Sequence, residues 1–336
     1  MRAGYLASLL LLAACRRDEA VVQEAVNPVY AVQLAPGSPP LPVPAENPLT
    51  KAGVELGREL FFEARLSRNA VLSCAGCHHP LAGFSDTVAL SVGADGDVGF
   101  RNAPTLSNVA YQQRLFMDGG IPNLEYQVLA PIHDVHEMDS DINEVAELLR
   151  DEEPFKSLSQ LAYGRTLDAF VITRAIASYE RTLVSGWSRF DRYVYSNDAT
   201  ALTPQELNGW GIFSSAGANC TACHTGYDLT DRDFHNVGLT TDHSADEGRA
   251  RITLQPEDVG KFKTPTLRNI ALTGPYMHDG SLSTLEQVVD HFASGGLPQP
   301  NLSPQMQPFF LTQQEKADLI AFLHALTDDR SLDQVP

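Results

Sequence analysis

Apolar side chains recur at three- and four-residue spacing over residues 143–149, 167–183, 204–213, 284–292 and 312–326. That period places one face of an α-helix against a core. Thr203-Pro204-Gln205-Glu206 and Thr312-Gln313-Gln314-Glu315 open two of these runs with a capping oxygen followed three residues later by Glu, the signature of a helix N-terminus. Alternating Val- and Ile-rich runs are scarce, so the pattern predicts an all-α fold. A repeat sets the architecture. Residues 102–108, Asn-Ala-Pro-Thr-Leu-Ser-Asn, return 161 positions later as Lys-Thr-Pro-Thr-Leu-Arg-Asn, and Asp118-Gly119 and Leu124-Glu125 return at the same offset. The chain therefore reads as two helical domains related by duplication, 46–196 and 197–336. The second copy carries an insertion near Asp231 to Gly260, expected to form a surface loop.

At 336 residues, with 43% hydrophobic and 20% charged residues, the chain has room for about two domains of ~150 residues and enough apolar content to bury their cores. The formal charge of -18 excludes sequence-independent attraction to nucleic acid, which needs clustered cations, and favours cationic partners. No internal stretch reaches the ~18 apolar residues of a membrane span. Only the N-terminus raises a membrane question. Met1-Arg2 followed by an apolar run from Tyr5 to Ala14 reads as an export signal. Leu12-Ala13-Ala14-Cys15 matches a lipobox, which predicts cleavage before Cys15 and lipidation of its thiol; the bland alternative is an ordinary signal with an incidental cysteine. Export predicts a periplasmic location, with membrane contact only through this anchor. The Pro-rich residues 16–45 read as a tether.

The other four cysteines form Cys74-Ala75-Gly76-Cys77-His78 and Cys220-Thr221-Ala222-Cys223-His224. This is the c-type haem attachment spacing. Two thiols on one helical turn can add to the two vinyl groups of a porphyrin, and the adjacent His then becomes the proximal iron ligand. A redox disulfide or a four-Cys zinc site would leave His78 and His224 unexplained. The prediction is two covalently bound haem c. The sixth iron position then decides the class, since an electron carrier fills both and an enzyme leaves one open. Candidate ligands are His79, His133, His136, His235, His243, His278, His291, His324, Met117, Met138, Met277 and Met306.

The two CxxCH units, Arg101-Asn102-Ala103-Pro104-Thr105, Phe116-Met117-Asp118-Gly119, the stretch from Gln127 to Met138, and residues 264–269 through Pro275-Tyr276-Met277-His278-Asp279-Gly280 occur in an order that resembles the bacterial di-haem cytochrome c peroxidase family, its MauG-like branch included. The resemblance covers about residues 46–330. It implies two cytochrome c-like domains, an N-terminal peroxidatic haem and a C-terminal electron-transfer haem. Family members that need reductive activation close the first haem with a loop histidine, and here that position is Ala94, implying an open site at rest. The distal pocket carries over as Gln127, Pro131 and Glu137, with Glu137 as general acid–base.

Two positions depart from the family. Met117 stands where a tryptophan often lies between the haems. Phe292 stands where the second haem takes a Met or Tyr, and phenylalanine cannot ligate iron. Either that haem is also five-coordinate, or His291, Met277 or Met306 substitutes. His278 falls opposite Met117 in the repeat and is expected on the electron path. Asn102, Thr273 and Pro275 match an interdomain calcium site built from oxygens. The implied activity is reduction of hydrogen peroxide with electrons from a small cytochrome c or copper protein. The alternatives are a MauG-like oxidation of a partner protein and a non-catalytic electron carrier. Self-association as a homodimer is left open.

Overall fold

The computed structural model describes residues 26–330. The signal segment and Cys15 lie outside the described residues. The first domain contains α1 (Lys51–Phe61), α2 (Leu124–Gln127), α3 (Leu129–His133), α4 (Ile142–Leu149), α5 (Phe155–Tyr163) and α6 (Ala169–Glu180). After α7 (Arg189–Tyr195), the second contains α8 (Pro204–Phe213), α9 (Ala250–Thr253), α10 (Leu285–Ser294) and α11 (Gln313–His324). The described regular strands are β1 (Phe234–His235) and β2 (Phe262–Lys263), antiparallel with Phe234 opposite Lys263. The fold is all-α, as the periodicity predicts. Thr203 and Thr312 cap α8 and α11 through complete capping boxes. No helix among the described residues is long and apolar enough to cross a membrane.

Each domain is organised by one helix crossing, α1 on α6 and α8 on α11. Both crossings turn on a glycine. A Cβ on Gly57 would lie 2.6 Å from the Ala175 carbonyl carbon, and one on Gly209 would lie 2.6 Å from that of Asp318. Only a residue without a side chain lets the backbones approach so closely. Phe61 then packs on Tyr179 at 5.1 Å, and Phe213 on Phe322 at 5.2 Å. These aromatics belong to two separate apolar cores, one per domain.

The repeat extends to backbone conformation. Asn108 and Asn269, 161 apart, both adopt φ of 60°, the left-handed region that Asn tolerates. Asn108 Oδ1 accepts from Ser185 N and Asn269 Oδ1 from Asp328 N, each at 2.8 Å. Their amide nitrogens bridge the domains, Asn108 to Asp228 at 2.9 Å and Asn269 to Ser107 at 3.1 Å.

Two sequence expectations need correction. From residue 26 onward the Pro-rich segment is not a free tether. Ala35 is buried, Tyr111 donates to Pro39 O at 3.0 Å, and Ser38 donates to Tyr227 at 2.7 Å, so the segment straps both domains. Its apolar residues Tyr30, Val32 and Leu41 pack on the first core, which outweighs the freedom proline-rich composition suggests. The insertion is not simply a surface loop either. Asp246 pairs with Arg101 through two bonds of 2.7 and 2.8 Å, and Arg249 donates to Asp118 O at 2.7 Å. It fills the seam between the domains because its charged groups find buried partners there.

Candidate haem centres

Each CxxCH forms a single 3-10 turn, Cys74–Gly76 and Cys220–Ala222. The His78 N–H donates to Cys74 O and the His224 N–H to Cys220 O, both at 2.9 Å, which winds each histidine back beneath its own cysteine pair. All four thiols are unpaired, as addition to the vinyl groups of a porphyrin requires. The four cysteines do not gather into one zinc-spaced group among the described residues. Among the described residues the one grouping spaced for a metal is Cys223, Asp231 and His235.

The imidazoles are prepared alike. His78 Nδ1 lies 3.0 Å from Phe84 O, and His224 Nδ1 lies 3.0 Å from Leu229 O. A carbonyl can only accept, so each Nδ1 carries the proton and each Nε2 keeps its lone pair. Burial pushes both histidines below the ordinary pKa, which holds them neutral. Neutral imidazoles fixed in this tautomer, beside two unpaired thiols, fit a covalently attached haem.

Beyond the first turn, the predicted distal residues are brought together. Gln127 ends α2 and Pro131 lies one helical turn later in α3. The chain then folds back, with Met138 N donating to Pro131 O at 3.1 Å, which places Glu137 beside Pro131. Burial raises the Cys77 pKa and the charges of Asp86 and Glu137 add to it, which puts Glu137 on the side of the first attachment turn. Burial, reinforced by Asp134, raises its pKa. The residue as a whole is nevertheless solvent-exposed; a side chain on a concave wall has both many protein neighbours and a free face. Ala94 donates its N–H to Glu137 O at 2.6 Å, and Asn69 donates to Ala94 O at 2.6 Å. The loop holding Ala94 is thereby pinned to the segment that carries Glu137.

In the second domain, the 161-residue offset pairs Phe292 of α10 with Pro131 of α3. His291 Nε2 lies 3.0 Å from Val237 O and so acts as a donor. Met277 lies in the seam loop at φ of 74°, matched by Phe116 at 62°. Met306 is buried in a segment tied to α10 by Phe309 N to Ala293 O at 2.9 Å. That segment also meets the second attachment turn. Ser303 contacts His235 at 3.1 Å, His235 contacts Asp231 at 2.9 Å, and Asp231 N donates to Cys223 O at 2.7 Å. Several other candidate histidines have ring nitrogens engaged: His133 with Ile142 N, His136 with Asp97 and His243 with Gln299.

At the seam, Lys263 N donates to Met117 O at 2.8 Å and Asn102 N donates to His278 O at 2.8 Å. The His278 ring stacks on Phe262. For the expected calcium, Asn102 donates its side-chain nitrogen to Val88 O and Ala89 O, leaving its side-chain oxygen as the ligating atom. Thr273 packs 3.1 Å from the Cβ position of Gly83, in the other domain. The Thr273 hydroxyl donates to Ile270 O, so Thr273 and Pro275 offer carbonyl oxygens.

Sequence reasoning missed Phe262 and Glu180. Phe262 was detectable, since the offset of 161 pairs it with Arg101, whose guanidinium lies 5.6 Å from its ring. Glu180 gave no sequence signal. It is 4% exposed, its Oε2 has no partner, and burial pushes its pKa up to about 8. Between about pH 5 and 8 the unfolded chain releases this proton while the folded chain keeps it, so this group's contribution to stability falls as pH rises through that window. Glu180→Gln should abolish that slope and raise stability at pH 8 by a few kcal/mol. Denaturant midpoints across the window check this.

Two haem-binding helical domains, each with a CxxCH turn and a prepared imidazole, define a di-haem c-type protein. A family model described as Di-haem cytochrome c peroxidase matches residues 51–199, and one described as Cytochrome c matches residues 208–327. Methylamine utilization protein MauG of Methylophilus methylotrophus is 39% identical over 293 residues, covering 85% of each chain. Cytochrome c551 peroxidase of Nitrosomonas europaea is 34% identical over 304 residues, covering 88% of this chain and 86% of that one. A solved MauG-like protein associated with microbial copper homeostasis superposes with a TM-score of 0.85 at 33% identity, covering 91% and 98%. The chain belongs to the di-haem cytochrome c peroxidase family, oxidoreductases acting on peroxide, and its two domains imply two haem c.

Proposed function

We propose that this protein is an exported peroxidase that reduces hydrogen peroxide to water in its first domain, with electrons entering through the second from a small cytochrome c or copper protein. The observation that carries this reading is the Gln127, Pro131 and Glu137 wall beside the first CxxCH turn, with Ala94 pinned against it. The bound haem would supply the metal that binds peroxide and passes it electrons. Glu137 takes the proton from the near oxygen of peroxide and returns it to the departing oxygen, which leaves as water. Gln127, whose side chain makes no hydrogen bond among the described residues, donates to the departing oxygen. The Pro131 ring offers no lone pair to a metal and keeps the position free for substrate. Met277 and Met306, neither of whose sulfurs makes a hydrogen bond among the described residues, are the thioethers available to the second iron. The charge of -18 steers a basic donor toward the surface. A calcium ion held by Asn102, Thr273 and Pro275 would fasten the seam. Lipidation at Cys15 would keep the enzyme at a periplasmic membrane face.

Electron paramagnetic resonance of the resting ferric protein tests the open site. A high-spin signal from the first haem is expected, and two low-spin haems would contradict it. Ala94→His should convert that signal to low spin and make activity depend on prior reduction.

A second reading is oxidation of a partner protein by peroxide, favoured by Ala94 and by the MauG relatives. Partner modification without rapid donor turnover would select it.

A further inference from the structure

Both readings require electrons to cross the seam, and residue 117 there is a methionine, without an aromatic ring. The structure offers other atoms. The rings of Phe262 and His278 stack with centroids 3.7 Å apart and planes within 14°. From His278, the carbonyl accepts the Asn102 N–H at 2.8 Å, and two residues further the Pro104 carbonyl faces the His78 imidazole. From Phe262, the chain runs three residues to Pro265, whose carbonyl faces the His224 imidazole. Pro104 and Pro265 are themselves 161 apart. A short route therefore runs between the two proximal histidines, crossing the ring stack, the Asn102–His278 hydrogen bond and the approaches of the two proline carbonyls to the imidazoles.

The stack is held rigidly. Phe262 lies in β2, paired with β1. Arg101 covers the ring at 5.6 Å and is fixed by Asp118 and Asp246, each at 2.7 Å. Phe234 in β1 lies under Arg249 at 4.4 Å, and Arg249 grips the Asp118 carbonyl. Electronic coupling falls far more steeply across a gap than through packed contact, and close-packed interiors leave few gaps.

We propose that electrons pass between the two haem domains through the Phe262–His278 stack rather than through the side chain of Met117. This rests on the presence of two haems but not on the choice between peroxidase and partner oxidase. Each crossing moves one electron from the second domain to the first, and the reduced donor protein replaces it. Two crossings and two protons convert one peroxide to two waters.

The test is flash reduction of the second haem in the holoprotein, without peroxide, followed by optical detection of electron redistribution to the first. Phe262→Leu and His278→Gln should each slow redistribution severalfold. Phe262→Tyr should retain the stack and the native rate, and Met117→Ala should leave the rate unchanged. Haem spectra and both reduction potentials should stay native in all four, which a merely structural role for the stack would not preserve. Native redistribution in either slow-predicted variant with intact spectra would overturn the proposal. So would a slowed Met117→Ala. Because no peroxide is added, failure here leaves the peroxidase reading separately testable by turnover.

Discussion

Glu137→Gln should lower peroxide turnover by about 10²–10⁴-fold, the range that a positioned acid–base group contributes. The amide keeps the size and the wall but can neither accept the first proton nor deliver it to the departing oxygen. Haem incorporation and the resting spectrum should be native, because Glu137 anchors its surroundings through its backbone: its carbonyl receives Ala94 N and its N–H donates to Asp134 O. The pH dependence separates proton transfer from shape. Glu137 must be ionised to accept a proton, and burial and Asp134 raise its pKa. The acid limb of wild-type kcat/KM should therefore lie above the ordinary carboxylate range, and the Gln variant should lose that limb. Steady-state rates across pH provide the measurement.

Gly209→Ala should destabilise the second domain by about 3 kcal/mol or more, as expected when an added carbon drives into a packed backbone. The new methyl would lie 2.6 Å from the Asp318 carbonyl carbon and 2.7 Å from Phe322 Cβ, so α8 and α11 would have to separate. Gly211 is two residues away on the same helix, is exposed, and has nothing within 4 Å of its Cβ position. Gly211→Ala should be neutral or stabilising by up to ~1 kcal/mol through helix propensity. Opposite signs from one substitution at neighbouring sites isolate the crossing from the propensity. Denaturant unfolding of the holoproteins measures both.

Much of this was legible in the sequence because it depends on local pattern. The runs leading to α4, α6, α8, α10 and α11 carry clear helical periods, and the CxxCH turns fix their own geometry. The 161-residue repeat correctly aligned Asn108 with Asn269 and Leu124 with Leu285, the first residues of α2 and α10. The helix α1 was missed because Gly53 and Gly57 interrupt its pattern, although Gly57 is what the crossing requires. The strap at residues 26–45 was misread for a related reason. Proline-rich composition reports backbone stiffness, whereas the packing of Ala35 and Pro39 depends on surfaces brought from both domains. Glu180 lay beyond reach, since its high pKa comes from burial created by tertiary packing. Phe262 had a signal in the repeat, but its stacking on His278 joins residues sixteen apart through the seam.

The most direct test of the central claim is anaerobic mixing of the untreated ferric holoprotein with peroxide and a reduced small cytochrome c. Donor oxidation at two equivalents per peroxide, without prior reduction of the enzyme, is the predicted result. Failure to oxidise donor while peroxide disappears, or activity only after reductive pretreatment, would contradict an open peroxidatic site in the first domain.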